Sequence, residues 1–321
     1  MNVCSTLLIL CVSILSAAPQ KATRIDRQAL KRDVAKISPL ATFDVPGAPD
    51  WMAVTTDSVW VTSQPANTVT RLDSKTNTVA QVVSINAPCS GLVFAFNSIW
   101  SPSCGDGAVV RFDAKTGIKQ ATIPIKVAES EGSIASGAGD VWVVTATPAP
   151  RLVRIDGQLN RIKAMIPVAE GSVACTFGSN AVWVTSPTRS IVSRVNASTN
   201  RVTDEIPVGQ GPRFLTFGGD AVWTLNQGDG TITRIDPTSN KVVANIRAGL
   251  QGKGGEITFG DGHVWLTLFG FPITKVAAAT NKIVAQWVGP GGDSIRYGLG
   301  ALWLTDLKRQ KVWRFDPASL K

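Results

Sequence analysis

Short apolar runs alternate with clusters of turn residues along most of the chain. The clearest stretch lies between residues 213 and 246, where four runs rich in β-branched and aromatic residues are separated by Gly-Gly-Asp, Gln-Gly-Asp-Gly and Pro-Thr-Ser-Asn. Runs of this length, bounded by glycine, proline, asparagine and aspartate, are typical of β-strands joined by tight turns. The stretch therefore predicts an antiparallel sheet of four short strands.

A tryptophan recurs in the second run of each such unit, with steps of 38 to 42 residues. The recurring tryptophans are Trp60, Trp100, Trp142, Trp183, Trp223, Trp265 and Trp303. A four-stranded unit repeated at this period is typical of a β-propeller blade, whose faces are covered by the neighbouring blades. The sequence therefore predicts an all-β fold, a seven-bladed β-propeller, with the seven tryptophans as buried anchors.

A basic residue follows each of these tryptophans by about eleven positions along the repeat. These residues are Arg71, Arg111, Arg154, Arg194, Arg234, Lys275 and Arg314. An acid or amide then stands two positions further on in most repeats, as Asp236 follows Arg234. We expect each arginine to bond its own turn through this acid.

The two ends of the repeat region complement each other. The last repeat stops near Asp316 and lacks the fourth run that the other repeats have. A run of the right type occurs instead near residues 40 to 45, before the first inner strand. Because an open sheet edge invites pairing with other chains, closure of the ring is favoured. We therefore expect this N-terminal strand to complete the last blade.

The first 18 residues have the composition of an export signal. An apolar run from Leu7 to Leu15 is followed by Ser16-Ala17-Ala18, a small-x-small cleavage pattern. The run is too short to span a membrane as a helix. We therefore predict a signal peptide over residues 1–18, a propeller over residues 40–321, and export to the periplasm or the extracellular space.

Residues 19–39, between these two segments, carry six Lys or Arg residues against two acids. Such a segment is typical of a solvated basic linker or a short surface helix. Ile25, Leu30, Val34 and Ile37 form a weak helical stripe, which would dock on the domain or touch an anionic surface. Both interpretations are open at this point.

The formal net charge of +9 favours nonspecific adhesion to nucleic acid or to anionic envelope polymers. Six of these positive charges are the repeat arginines, which we expect to be structural. No stripe of Lys and Arg with interleaved aromatic residues remains, as a single-strand binding surface would need. We therefore do not expect nucleic acid to be the partner.

Three cysteines follow the predicted signal peptide. Cys89 begins the inner strand of the second blade and Cys104 ends its second strand, so the two lie opposite each other in the predicted hairpin. Cysteines on adjacent strands of an exported protein have both the geometry and the redox environment for a disulfide. We predict a Cys89–Cys104 disulfide and an inert buried thiol at Cys175.

The repeat resembles a known group of bacterial propellers. The segments Val182-Trp183-Val184-Thr185 and Ile232-Thr233-Arg234-Ile235-Asp236 are similar to those of YVTN-repeat proteins and of streptogramin (virginiamycin B) lyases. The lyase resemblance implies a magnesium-assisted C–O elimination that linearises a cyclic peptide antibiotic, with histidine as the proton-transfer group. The matched residues belong to the scaffold, however, so they predict the fold and not the activity.

The single histidine of the chain, His263, does not fit that chemistry. It precedes the second strand of blade six, on the turn between the first and second strands. That turn lies on the face opposite the usual binding mouth of a propeller. We therefore expect a structural or solvated histidine.

Propeller ligands usually bind at the mouth of the central channel, where the loops that enter the inner strands meet the loops between the second and third strands. The strongest candidates there are Trp51, Arg213, Phe214, Glu256, Arg296 and Asp306. The wider set adds Asp50, Glu129, Glu131, Glu170, Asn226, Phe269, Phe271 and Asp293. Acids, arginines and aromatic residues at one mouth suit a polar organic ligand or a peptide.

Glu256 is the most distinctive of these residues, because its equivalents in the other blades are not acids. The sequence thus predicts an exported, monomeric binding or scaffold protein, with a small polar molecule, a peptide or an envelope protein as its partner. The alternative is a lyase-like enzyme acting at the same mouth. No cofactor is expected for the binding protein, and magnesium belongs to the lyase alternative alone.

Overall fold

The computed structural model describes residues 28–89, 91–127, 132–145 and 149–321. The predicted signal peptide and the candidates Glu129 and Glu131 lie outside these residues. Turn residues with left-handed backbone separate the strands, as at Asn160 (φ 55°) and Asn200 (φ 55°). Asparagine tolerates this conformation better than most residues, which explains why the strands are short and end sharply.

The strands of each blade pair in antiparallel order from the centre outward. In blades one to three they are Pro49–Val54, Ser58–Ser63, Thr68–Asp73, Thr78–Ser84; Val93–Ala95, Ser98–Ser103, Ala108–Asp113, Lys119–Pro124; Ile134–Gly137, Asp140–Val144, Arg151–Asp156 and Ile162–Pro167. In blades four and five they are Cys175–Gly178, Ala181–Ser186, Ile191–Asn196, Arg201–Pro207; Pro212–Gly218, Ala221–Asn226, Thr231–Asp236 and Lys241–Arg247.

Blade six consists of Glu256–Gly260, His263–Leu268, Phe271–Ala277 and Lys282–Val288. Blade seven consists of Ile295–Gly298, Ala301–Asp306 and Lys311–Phe315, and its fourth strand is Ala41–Asp44 from the start of the domain. This strand pairs antiparallel with Lys311–Phe315, with Phe43 opposite Val312. The predicted seven-bladed ring and its closure by an N-terminal strand are therefore confirmed.

The blades are held together by packing at their inner strands. All seven repeat tryptophans are fully buried, as predicted. A glycine near the end of an inner strand makes room for an aromatic ring of the next blade: a methyl group at Gly178 would lie 2.0 Å from the Phe217 ring. The same contact occurs between Gly137 and Phe177. Glycine is required there by close approach.

Among the described residues, no hydrogen bond or ion pair joins a repeat arginine to the acid two positions further on, so the expectation of a bond through that acid is wrong. Arg154 lies over the ring of Trp142 and donates to Ala197 O (2.6 Å) and Asn200 Oδ1 (2.8 Å) in the third turn of the next blade. Hydrogen bonds of the same kind, to an asparagine side chain, join Arg111, Arg234 and Arg314 to the following blade. The acid two positions on, such as Asp156, instead accepts from backbone N–H groups of its own turn.

The basic segment before the propeller is docked on blade six. Lys31–Asp33 is a strand that pairs parallel with Lys282–Val288, and the 3-10 helix Val34–Lys36 follows it. Val34 is buried and packs in one cluster with Trp265 and Trp287. Docking on the domain is one of the alternatives that the sequence left open, and in this part of the segment it occurs through a strand and a 3-10 helix. A second 3-10 helix, Pro317–Ser319, ends the domain.

We expect Val34→Ala to lower the free energy of unfolding by about 1.5 kcal/mol, because two buried methyl groups are lost. The measurement is urea denaturation of the purified chain. Val79→Ala is the matched control: Val79 is 42% exposed on an outer strand, so its change should stay within about 0.5 kcal/mol. Equal effects of the two substitutions would contradict the docking of this segment.

Candidate functional site

The channel at the centre of the ring narrows near the mouth, which is the end where the inner strands begin. A small cavity of about 30 Å³ lies there. Its lining includes Trp51, Gly91, Gly132, Phe214, Glu256 and Arg296. Four of the six strongest candidates from the sequence therefore converge on one cavity.

The buried centre of this cavity is an ion pair between two blades. Glu256 begins the inner strand of blade six and is 1% exposed. Its Oε1 pairs with Nη1 of Arg296 on blade seven. Its Oε2 accepts from Ser294 Oγ and from the backbone N–H of Ile295 (3.0 Å). The Glu256 carboxylate is thus held by three donors.

Arg296 is fixed from several sides. Its Nε donates to Met52 O of blade one at 3.1 Å, and its guanidinium carbon lies 5.3 Å from the ring centre of Trp51. Burial lowers the pKa of Arg296 to about 10, so the side chain stays protonated at neutral pH. A quarter (25%) of the side chain is nevertheless open to solvent. The guanidinium is therefore a preorganised charge that can still be reached.

Two aromatic rings close over the ion pair. Trp51 and Phe214 come from blades one and five, and their ring centres are 5.6 Å apart. The indole Nε1 of Trp51 is buried and donates to no described residue. Arg213 lies over the Phe214 ring at 5.6 Å, and its guanidinium has no hydrogen-bond or ion-pair partner in the described part of the chain. Within the described ranges, Arg213 is therefore a cation at the rim that has no acidic partner.

Asp293, from the wider set, adds buried acidity at the same end of blade seven. It is 5% exposed and accepts from the backbone N–H of Gly255 at 3.3 Å. Burial raises the pKa of Asp293, against the effect of its hydrogen bonds with the Asp50 side chain and Gly255. The two carboxyl groups therefore interact at this end of the channel and place acceptor oxygens there.

Asp306 is not part of the cavity lining. It ends the second strand of blade seven, where it accepts from the backbone N–H of Arg309 (3.1 Å) and pairs with its side chain (3.5 Å). His263 begins the second strand of blade six, its Nδ1 faces Asp261 O, and its ring lies 5.6 Å from that of Trp265. Neither residue is brought to the ion pair.

The predicted disulfide is present, with the Cα atoms of Cys89 and Cys104 5.7 Å apart. Cys175 is a free buried thiol whose Sγ lies 3.4 Å from Ser133 O, and burial raises its pKa. Its predicted role as an inert thiol fits these contacts, because the thiolate is the reactive form.

Among the described residues, no three metal-binding side chains come together. Since the Glu256 carboxylate is also taken by three donors, the magnesium that the lyase resemblance implies does not fit these residues, and no step through it follows. The described part of the chain contains no helix long and apolar enough to cross a membrane.

The sequence did not single out a row of threonines that also lines the channel. Thr176, Thr216 and Thr258 each stand opposite the repeat tryptophan of their blade, in blades four to six. The signal was available in the alignment of the repeats, because the same position holds Ala53, Val93 and Ala135 in blades one to three.

No protein-family model matches this chain, and no curated protein matches it. Solved structures do. A streptogramin B lyase has a TM-score of 0.71 at 20% identity, covering 85% of this chain and 95% of that one. Virginiamycin B lyase from Staphylococcus aureus has a TM-score of 0.71 at 21% identity, covering 85% and 97%. The β-propeller domain of Myceliophteria thermophila Cps50 (Swd1) has a TM-score of 0.71 at 13% identity, covering 87% of this chain and 99% of that one.

Another similar structure is a catalytically inactive histidine-to-alanine variant of the S. aureus lyase with quinupristin, at 21% identity and a TM-score of 0.71, covering 83% of this chain and 94% of that one. At these identities the likeness concerns the fold. The chain has the seven-bladed β-propeller fold of the streptogramin lyases.

Proposed function

We propose that this chain is an exported binding propeller that holds a small zwitterionic or carboxylate-bearing ligand, such as an amino acid or a peptide end, at the mouth of its channel. The observation that carries the proposal is the Glu256–Arg296 ion pair beneath Trp51 and Phe214. The blade pattern does not require these charges, since the inner strands of the other blades form without a Glu–Arg pair at these positions.

The charges at the mouth have the arrangement that a zwitterion needs. The Arg213 guanidinium has no hydrogen-bond partner among the residues that the structure describes, so it can donate two parallel hydrogen bonds to a carboxylate. The Asp50–Asp293 pair offers acceptors for an ammonium group. Trp51 and Phe214 supply an apolar surface between them. Export is supported by the Cys89–Cys104 disulfide, because such bonds persist in oxidising compartments.

The likeness to streptogramin lyases favours an enzyme as the second candidate. In that case a histidine would have to reach the channel mouth. His263, the only histidine of the chain, instead lies on the turn between the first two strands of blade six. A binding role therefore fits the described residues better than a lyase role.

The test is thermal unfolding of the chain with free amino acids and with short peptides as probes. A ligand at 100 times its Kd is expected to stabilise the fold by about 2.7 kcal/mol. Arg213→Gln should abolish this shift, because it removes the cation at the rim, while His263→Ala should leave it unchanged.

A shift that survives Arg213→Gln and disappears in His263→Ala would place the site elsewhere. Conversion of a streptogramin B antibiotic to its linear form, followed by mass spectrometry, would favour the enzyme over the binding protein.

A further inference from the structure

The channel opens more widely at the end opposite the mouth. A cavity of about 290 Å³ lies there, and we call it the vestibule. Its lining includes Thr176, Thr216, Thr258, Arg296, Phe94 and Phe177. All of its lining residues belong to the described part of the chain. A cavity of about 300 Å³ is at the small end of the range of small-molecule sites.

The vestibule wall is polar on one side and apolar on the other. At the level of the repeat tryptophans, blades four to seven present Thr176, Thr216, Thr258 and Arg296. Blades one to three present Ala53, Val93 and Ala135 at the same level. The aromatic rings of Phe94 and Phe177 are partly exposed at the same cavity. A ligand that matches this wall has one polar edge and one apolar face.

The polar side offers unused hydrogen-bonding groups. Arg296 donates through Nε to Met52 and through Nη1 to Ile295, and it pairs with Glu256 through Nη1. No described residue accepts a hydrogen bond from its Nη2. The hydroxyl groups of Thr176 and Thr216 likewise have no partner among the described residues. Arg296 is the one charged side chain in the lining of the vestibule.

From this arrangement we propose that the vestibule binds a small organic carboxylate that has one apolar face. The carboxylate accepts from Nη2 of Arg296, and the threonine hydroxyls bond the polar edge of the ligand. The apolar face packs on the side of Val93 and Phe94. The vestibule adjoins the mouth cavity and shares Arg296 with it, but the threonines line the vestibule alone.

The experiment titrates the chain with two carboxylates and their uncharged counterparts by calorimetry. The pairs are 4-hydroxybenzoate with 4-hydroxybenzamide, and D-glucuronate with D-glucose. We expect at least one carboxylate to bind, at least tenfold more tightly than its uncharged counterpart. The benzoate and glucuronate arms distinguish an aromatic from a sugar ligand. Binding of neither carboxylate, or equal binding of both members of a pair, would overturn the proposal.

The double variant Thr176→Val/Thr216→Val places the site. Valine keeps the shape of threonine and removes two hydroxyl groups, so affinity for the carboxylate that binds should fall roughly tenfold. Thr280→Val, an exposed threonine in a turn of blade six, is the matched control and should bind as the unchanged chain does. Unchanged affinity in the double variant would refute the assignment.

Nuclear Overhauser contacts between the bound carboxylate and the rings of Phe94 and Phe177 locate the ligand without any substitution. Their absence in a saturated complex would also refute the site. Because the mouth is tested through Arg213 and the vestibule through Thr176 and Thr216, failure of one proposal is distinguishable from failure of the other.

Discussion

Replacing Arg296 by methionine is expected to lower the free energy of unfolding by about 3–5 kcal/mol, more than any single surface charge would. The Glu256 side chain is only 2% exposed and depends on the guanidinium for compensation of its charge. In Arg296→Met it keeps the donors Ser294 Oγ and Ile295 N–H but remains a buried carboxylate without a counterion. The loss would be measured by urea denaturation at neutral pH.

The matched control is the exposed pair between Arg189 and Glu205, whose atoms are 2.9 Å apart and whose side chains are 46% and 39% exposed. Arg189→Met should cost less than about 1 kcal/mol, because water screens an exposed pair. The double variant Glu256→Gln/Arg296→Met should recover most of the loss, since no buried charge remains. If Arg296→Met costs no more than Arg189→Met, the pair does not stabilise the ring as described.

Most of the fold can be predicted from the sequence because each blade is determined by residues within its own repeat. The steps between the tryptophans give the number of blades, and the apolar run near residues 40 to 45 gives the closure that the pairing of Ala41–Asp44 confirms. The Cys89–Cys104 bond also follows from one hairpin. In each case the signal and its structural consequence lie on the same blade or at its edge.

Contacts between blades are harder to predict from a single sequence. Arg154 bonds Asn200, which is 46 positions away and on the next blade, whereas the nearer Asp156 is already occupied by its own turn. A local pattern of Arg and Asp therefore predicted the wrong partner. The same difficulty hid the contact of Arg296 with Met52, 244 positions apart.

For the candidate site, the sequence placed Glu256 and Arg296 at one mouth but could not show that they neutralise each other. Their contact depends on the rotation between blades six and seven, which no residue pattern specifies. The sequence also favoured a binding site at the mouth over one at the opposite face, because binding loops are usually found at the mouth. The polar half of the vestibule is formed by threonines within strands. Threonine is common in strands, so the sequence does not mark these residues as part of a site.

The second large effect is expected at the disulfide. Cys89→Ser/Cys104→Ser should lower the free energy of unfolding by about 3 kcal/mol, the loop-closure entropy of a 15-residue loop, here the separation of the two cysteines. We expect the stability of this hairpin to depend on the disulfide, because its backbone pairing is limited. Its inner strand, Val93–Ala95, has three residues, and Pro102 in the partner strand has no N–H to donate.

Denaturant unfolding with and without reductant separates the bond from the side chains. Oxidised wild-type protein should lose stability when dithiothreitol is added, whereas the double serine variant should unfold at the same midpoint under both conditions. The remaining thiol, Cys175, is buried and present in both proteins, so its reactivity does not distinguish them. Equal stability of oxidised and reduced wild-type protein would show that the hairpin holds without the bond, and that the strand contacts from Cys89 N–H to Pro102 O (3.2 Å) suffice.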